Sequence, residues 1–182
     1  MYMLMTFANP KRNIEQFQLE QGMEVADFGA GAGYLAVEAA EAVGKGGTVY
    51  VLEVQQELLT KATHLAKEHH QESLVFIHAD VEQEGGSTLA DASVDAVIVS
   101  NILFQAHNKE AVLKEAHRIL RPHGRLLLVD WRESYGGIGP QPEQVISEVD
   151  AQKLAEASHF ELVSTIDAGA YHYGLIFKKH GQ

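Results

Sequence analysis

Apolar residues in this chain fall into short continuous runs separated by stretches of helical spacing. The runs cover residues 24–28, 48–53, 74–78, 94–99 and 125–129, and each reads as a strand. A strand apolar at nearly every position is covered on both faces, as in the middle of a parallel sheet. Between the runs, residues 33–43 form an Ala-rich helix, apolar nearly all round and therefore packed against the sheet. Residues 56–70 place Leu58, Ala62, Leu65 and Ala66 on one helical stripe, and residues 109–120 turn Val112, Ala116, Ile119 and Leu120 inward. Glycine at 44–47 ends the first of these helices, and Arg121-Pro122-His123-Gly124 ends the last.

The flanks are less regular. Residues 1–22 read as an N-terminal arm in which Asn9-Pro10 opens a short helix, with Ile14 and Phe17 inward. Residues 84–92 are polar and glycine-bearing, hence loop or one weak helical turn, and the Gly/Pro-rich residues 135–142 are long enough for a wall or lid. A last helix over residues 150–158 precedes two strands, 160–166 and 171–177, joined only by Asp167-Ala168-Gly169-Ala170.

Strand and helix alternate five times, which predicts an α/β fold with a largely parallel sheet and helices on both faces. The four-residue final connection is too short for a parallel crossover, so the last two strands are antiparallel neighbours. At 182 residues, one domain spanning 1–182 is expected.

Composition narrows the functional classes. The 46% hydrophobic and 21% charged fractions are those of an ordinary globular protein, and no apolar run is long enough to cross a bilayer. Met1-Tyr2-Met3-Leu4-Met5 lacks the basic start of a secretory signal, so the cytoplasm is the expected location. With no cysteine, disulfides, thiol nucleophiles and Cys-based zinc sites are excluded. A net charge of −11 argues against a nucleic-acid partner. His64 and Glu68 share a helix face but lack further ligands, so no metal site is expected.

The candidate chemistry gathers at Val25-Ala26-Asp27-Phe28-Gly29-Ala30-Gly31-Ala32-Gly33-Tyr34-Leu35-Ala36, a strand, a tight turn and a helix start. Glycine lets the turn approach a ligand closely, and the helix offers free N–H groups and its positive dipole end. Two ligands fit these letters. Gly31-x-Gly33-x-x-Ala36, with Glu53 twenty residues beyond Gly33, satisfies the NAD-type dinucleotide fingerprint. Asp27-x-Gly29-x-Gly31-x-Gly33 satisfies the acid-plus-three-glycines signature of class I S-adenosylmethionine (SAM) methyltransferases.

The rest of the chain resembles the second family, nearest to its small ubiquinone/menaquinone-biosynthesis type. The resemblance rests on residues 25–33 and 49–53, His78-Ala79-Asp80-Val81, Asp95-Ala96-Val97-Ile98-Val99-Ser100-Asn101, and the Leu120-Arg121-Pro122-His123-Gly124 junction into residues 125–129. It implies a Rossmann-like, doubly wound, seven-stranded sheet with the last strand antiparallel. The dinucleotide reading leaves Asp80 and the terminal hairpin without a role and no residues for a second substrate domain.

The resemblance also implies a set of cofactor-binding residues. Gly29, Ala30, Gly31 and Gly33 would face the methionine part of SAM, and Asp27 its ammonium group. Glu53 would accept the ribose hydroxyls, Asp80 the adenine amino group, and Val54 and Val81 would pack on the adenine faces. Ser100 and Asn101 would line the way to the methyl group. Singly, each acid is as well read as a strand-end cap; three at successive strand ends are not. No catalytic residue is assigned, because methyl transfer needs a base only when the acceptor must lose a proton. His107, Trp131, Tyr135, His172 and Tyr173 are candidates to line the acceptor site.

Departures from the family's subclasses are informative. Ser100-Asn101-Ile102-Leu103 is not the Asn/Asp-Pro-Pro-Tyr of amino-methylating nucleic-acid enzymes, and the paired-glutamate loop of arginine methyltransferases has no counterpart. Asp130-Trp131 departs from the Asp-Asn metal pair of catechol-type enzymes, and arsenite and base C5 methylation both rely on cysteine. Glu53 stands where many relatives carry Asp. The short arm leaves the acceptor side open, which suggests either a large substrate or a lid from a second subunit; of the two, a small or lipid-like acceptor in a homodimer is the preferred expectation. A catalytically silent SAM-binding module is the alternative.

Overall fold

The computed structural model describes residues 8–137 and 139–180. The start of the arm, including residues 1–5, lies outside them. The elements are α1 (Pro10–Phe17), β1 (Glu24–Phe28), α2 (Tyr34–Val43), β2 (Thr48–Glu53), α3 (Gln56–Glu68) and β3 (Leu74–His78). Then come β4 (Val94–Ser100), α4 (Lys109–Ile119), β5 (Leu120–Trp131), α5 (Glu148–Ala157), β6 (Phe160–Ile166) and β7 (His172–Lys179). All strands join one seven-stranded sheet in the order β3-β2-β1-β4-β5-β7-β6. β1 pairs in parallel with β2 and β4, and β7 lies antiparallel between β5 and β6, as the short final connection requires.

The strand period of two sorts the core into two layers. Val25, Val49, Val51, Ala96, Ile98 and Leu127 face one side, where Ile14 and Phe17 of α1 and the buried alanines of α2 and α3 cover them. Ala26, Phe28, Val97, Val99 and Leu128 face the other, under α4 and α5. Asp27, two residues from Val25, therefore points to the α1 and α2 side.

Local chemistry sets the ends. Asn9 caps α1 by accepting from the Arg12 N–H at 3.1 Å, and Ser147 caps α5 by accepting from the Asp150 N–H at 3.1 Å. Two details differ from the pattern. Leu59, not Leu58, joins Ala62 and Ala66 beneath α3, and Leu58 is left at the carboxyl edge of the sheet. Leu120 still donates its N–H to the Ala116 carbonyl, closing the last turn of α4, but its backbone is extended (φ −67°, ψ 134°) and it opens β5 opposite Val94. The pairing resumes at Ala96 with Arg125, so residues 121–124 bulge out of a strand whose start the proline had disguised.

The bulge has an electrostatic purpose at the amino end of the sheet. Arg121 reaches Asp95 and Glu24 at 2.6 Å each, tying the starts of β1, β4 and β5 together. Nearby, Glu115 of α4 accepts from both sides of the Arg118 guanidinium (2.7 and 2.9 Å) and from the Ser87 and Gly85 N–H groups at 3.0 and 3.1 Å. Burial pushes the Glu115 carboxyl up, but these donors outweigh it and hold it at about 2.

Candidate cofactor site

At the opposite, carboxyl end of the sheet, β1 runs into the glycine turn. Gly31 takes φ +56°, and a Cβ there would meet nothing within 4 Å, so its backbone faces open space. A Cβ on Gly33 (φ +89°) would press on Ala62 Cβ at 2.8 Å; this glycine is needed to seat α2 against α3. The first turn of α2 follows with no side-chain cap on its N–H groups.

Two cavities meet at this turn, sharing Gly29, Gly31 and Gln105 in their walls. One, of about 310 Å³, is lined by Asn13, Asp27, Ala30, Tyr34, Ser100 and Asn101. The other, of about 300 Å³, is lined by Glu53, Val54, Leu58, Asp80, Val81 and His107. The structure thus brings every residue expected at the site into one two-lobed groove except Gly33, which stands behind it. A larger hollow of about 640 Å³ runs along α4, but its walls are the paired charges around Glu115 and Arg118.

The lobes differ in their chemistry. In the second, the Glu53 carboxylate accepts from the Gly31 N–H and the Gln55 N–H, both at 2.9 Å. Each oxygen is held by one donor and keeps a lone pair free for a hydroxyl. Asp80 accepts from the Glu82 N–H at 3.0 Å, and exposed Val54 faces the same lobe as buried Val81. The lobe is an apolar slot with an acid at either side.

In the first lobe, Asp27 is 1% exposed. Its Oδ2, like Oδ1 of Asn13 and of Asn101, has no hydrogen-bond partner among the described residues. Burial, with the Glu53 charge adding to it, pushes the Asp27 carboxyl up to about 8. Asp130, at the end of β5, is pushed up to about 6 by burial, while the N–H groups of Trp131 (2.8 Å), Phe104 (3.2 Å) and Leu103 pull the other way. Asp130 pins the loop after β4 and lines neither lobe.

The acceptor-side candidates scatter. Exposed His107 stands in the second lobe, away from Ser100 and Asn101. Tyr173 is fully buried and donates to the Ile146 carbonyl at 3.2 Å, so it belongs to the core. Trp131 packs at a tilt against buried His172 (centroids 4.4 Å apart) and Tyr135 meets Tyr171 edge to face (4.6 Å), forming an aromatic cluster beside Gly139 that lines neither lobe. Sequence reasoning missed Asn13, Leu58 and Gln105. Only Asn13 carried a signal: a polar residue beside Ile14 on the face of α1 that Phe17 buries.

A β3-β2-β1-β4-β5-β7-β6 sheet with a glycine turn after β1 and acids at the next two strand ends defines a class I SAM-dependent methyltransferase fold. The sequence profile of the family described as Methyltransferase domain matches residues 19–170, and the chain belongs to that family. An arsenite methyltransferase of Halobacterium salinarum is 30% identical over 71% of this chain and 32% of its own length. A ubiquinone/menaquinone biosynthesis C-methyltransferase of Blochmanniella pennsylvanica is 29% identical over 60% of this chain and 42% of its own. The chain thus spans about a third of the arsenite methyltransferase and less than half of the C-methyltransferase. Among solved structures, a SAM-dependent methyltransferase from Aquifex aeolicus superposes with a TM-score of 0.85 at 24% identity, over 95% of this chain and 90% of that one.

Proposed function

We propose that the chain binds SAM across the glycine turn and moves its methyl group to a small or lipid-like acceptor. The observation that carries this reading is the division of labour between the two lobes. Glu53, already oriented by two N–H groups, would accept the ribose hydroxyls. Asp80 would accept the adenine amino group, with Val54, Leu58 and Val81 packed on the ring. Asp27 and Asn101 would face the amino-acid end, with Ser100 at the passage between lobe and solvent. The donor, when bound, supplies a methyl carbon on a cationic sulfur, which an acceptor lone pair displaces in line with release of S-adenosylhomocysteine. The chain's part is to hold that line and exclude water, which is worth several kcal/mol by itself. No side chain is assigned as a general base. The cysteine-free chain does not fit the arsenite chemistry named for one relative, and the −11 net charge argues against a nucleic-acid acceptor. A cytoplasmic homodimer, each subunit one domain over 1–182, completes the reading.

Calorimetric titration with SAM and S-adenosylhomocysteine tests it. The wild type is expected to bind both in the micromolar range, and Glu53→Ala to lose about a hundredfold by forfeiting two charge-assisted hydrogen bonds. Absence of binding to the folded wild type would sink the reading and make NAD the next ligand to try. Tight binding with no turnover across a panel of acceptors would favour a silent SAM-binding module.

A further inference from the structure

One residue in the groove has no part in the scheme above. Asn13 lies in the middle of α1, 1% exposed, between Pro10 and the buried Phe17. Its neighbour Ile14 packs into the core, while Asn13 itself forms part of the wall of the first lobe. Burying an amide carbonyl with no donor is unfavourable, and folded proteins rarely tolerate it without a use. Here the Asn13 Oδ1 shares its lobe with two further oxygens in the same condition, Asp27 Oδ2 and Asn101 Oδ1. These come from three elements: α1, the end of β1 and the residue just after β4, where Asn101 takes φ +57° and its N–H is held by the Val129 carbonyl at 2.9 Å.

Once Asp27 is ionised, three acceptors in one lobe with no donor among the described residues ask for a guest that is all donor. A hydroxyl offers one hydrogen and a carboxylate none, whereas a primary ammonium offers three and a positive charge. Within SAM, the donors of the adenine and ribose belong with Asp80 and Glu53 in the other lobe. The ammonium group remains for this one.

We propose that Asn13 is a ligand for the cofactor's α-ammonium, so that α1 forms a wall of the cofactor site and not a lid over the acceptor. The assignment rests on SAM being the ligand of the groove. It makes the first helix part of the binding machinery: ordering of α1 against β1 and binding of the amino-acid end are one event. The adenosine end, gripped from β2 and β3, is indifferent to α1.

The test compares two ligands that differ at that end. S-adenosylhomocysteine carries the ammonium; 5′-methylthioadenosine keeps the adenosine and lacks the amino-acid tail. Asn13→Leu keeps the branching of the side chain and removes the acceptor, and since it also removes a buried unpaired carbonyl, the melting temperature should hold or rise. Its affinity for S-adenosylhomocysteine should fall by about tenfold or more, while that for 5′-methylthioadenosine stays within about twofold. Asn13→Asp, which keeps an acceptor at the same reach, should restore the homocysteine ligand and secures the test if the leucine variant does not fold. Unchanged S-adenosylhomocysteine affinity in Asn13→Leu, a parallel loss of both ligands, or equal loss in Asn13→Asp would overturn the assignment. A wild type that binds 5′-methylthioadenosine but not S-adenosylhomocysteine overturns it while leaving the nucleoside site standing; one that binds neither overturns the functional reading as well.

Discussion

The two ends of the sheet use charge in opposite ways. At the amino end, acids are paired. Arg121 closes on Glu24 and Asp95, and Arg118 grips Glu115, whose carboxyl sits at about 2. At the carboxyl end, acids are buried without cations. Asp27 is pushed up to about 8, Glu53 is satisfied only by backbone N–H groups, and three oxygens lack donors among the described residues. One end is finished without a ligand and the other is not. A folded protein keeps unsatisfied buried acceptors where something else supplies the donor, and the parallel sheet directs its strand ends toward that place.

The contrast breaks most visibly at Arg118. Arg118→Ala leaves Glu115 ionised at 2% exposure with only the Ser87 and Gly85 N–H groups and the Ser87 hydroxyl as donors. Loss of one partner from such a pair should lower stability by about 3 kcal/mol in urea unfolding at neutral pH, with S-adenosylhomocysteine affinity within about twofold of wild type. The pH dependence follows from the same pairing. Because the folded carboxyl is held at about 2, below its ordinary 4.5, its contribution is complete above pH 4.5 and fades as pH falls toward 2. Arg118→Ala should flatten that part of the acid-unfolding profile.

Asp27 should behave in the reverse sense. The folded carboxyl holds its proton up to about pH 8, while the unfolded one releases it near 3.8, so the ligand-free protein loses stability as pH rises between these values and levels off above them. Asp27→Asn removes the slope and should stabilise the free protein by several kcal/mol at pH 8, where the wild type has lost most of that protonation-linked stability. It should also weaken S-adenosylhomocysteine by about tenfold or more at that pH, because an ionised acid beside an ammonium is lost. Affinity should climb with pH from 6 to 8 in the wild type and stay flat in the variant. A mutation that stabilises the fold while weakening the ligand marks an acid kept for binding. Equal affinity in the two proteins would place the ammonium elsewhere.

How much of this could be read from the letters follows the same division. Continuous apolar runs located β1 and β2 to the residue, because a buried parallel strand has no other pattern, and the bounds of the edge strands β3 and β6 were read as well. The glycine turn, Glu53 and Asp80 were legible because each lies at or within two residues of a strand's end. β5 began early, at Leu120, because a proline inside a bulge imitates a helix stop. Asn13 escaped notice because a short helix with two inward apolar residues already looks complete. Trp131, Tyr135, His172 and Tyr173 illustrate the converse: placing a residue near a strand end does not say which face it takes. Tyr173 went into the α5-side core and Trp131 onto His172. Strand ends are read from local pattern, whereas the walls of the lobes depend on how helices from elsewhere in the chain lean on them.

The smallest effect is the sharpest test of the comparison. Arg121 is 41% exposed, its partners Glu24 and Asp95 are 35% and 29% exposed, and solvent screens all three. Arg121→Ala should therefore cost only about 1 kcal/mol, less than the geometry of two short contacts suggests, and the loss should shrink further at high salt. Yet Arg121 joins β1 and β4, the same two strands whose far ends carry Asp27 and Ser100. If the ends are independent, S-adenosylhomocysteine binding in Arg121→Ala stays within about twofold of wild type, because the register of β1 on β4, from Val25 against Ala96 to Phe28 against Val99, is held by its own ladder. A tenfold loss would mean that the amino end sets the spacing of the groove, and the paired charges there would then belong to the binding site as much as to the fold.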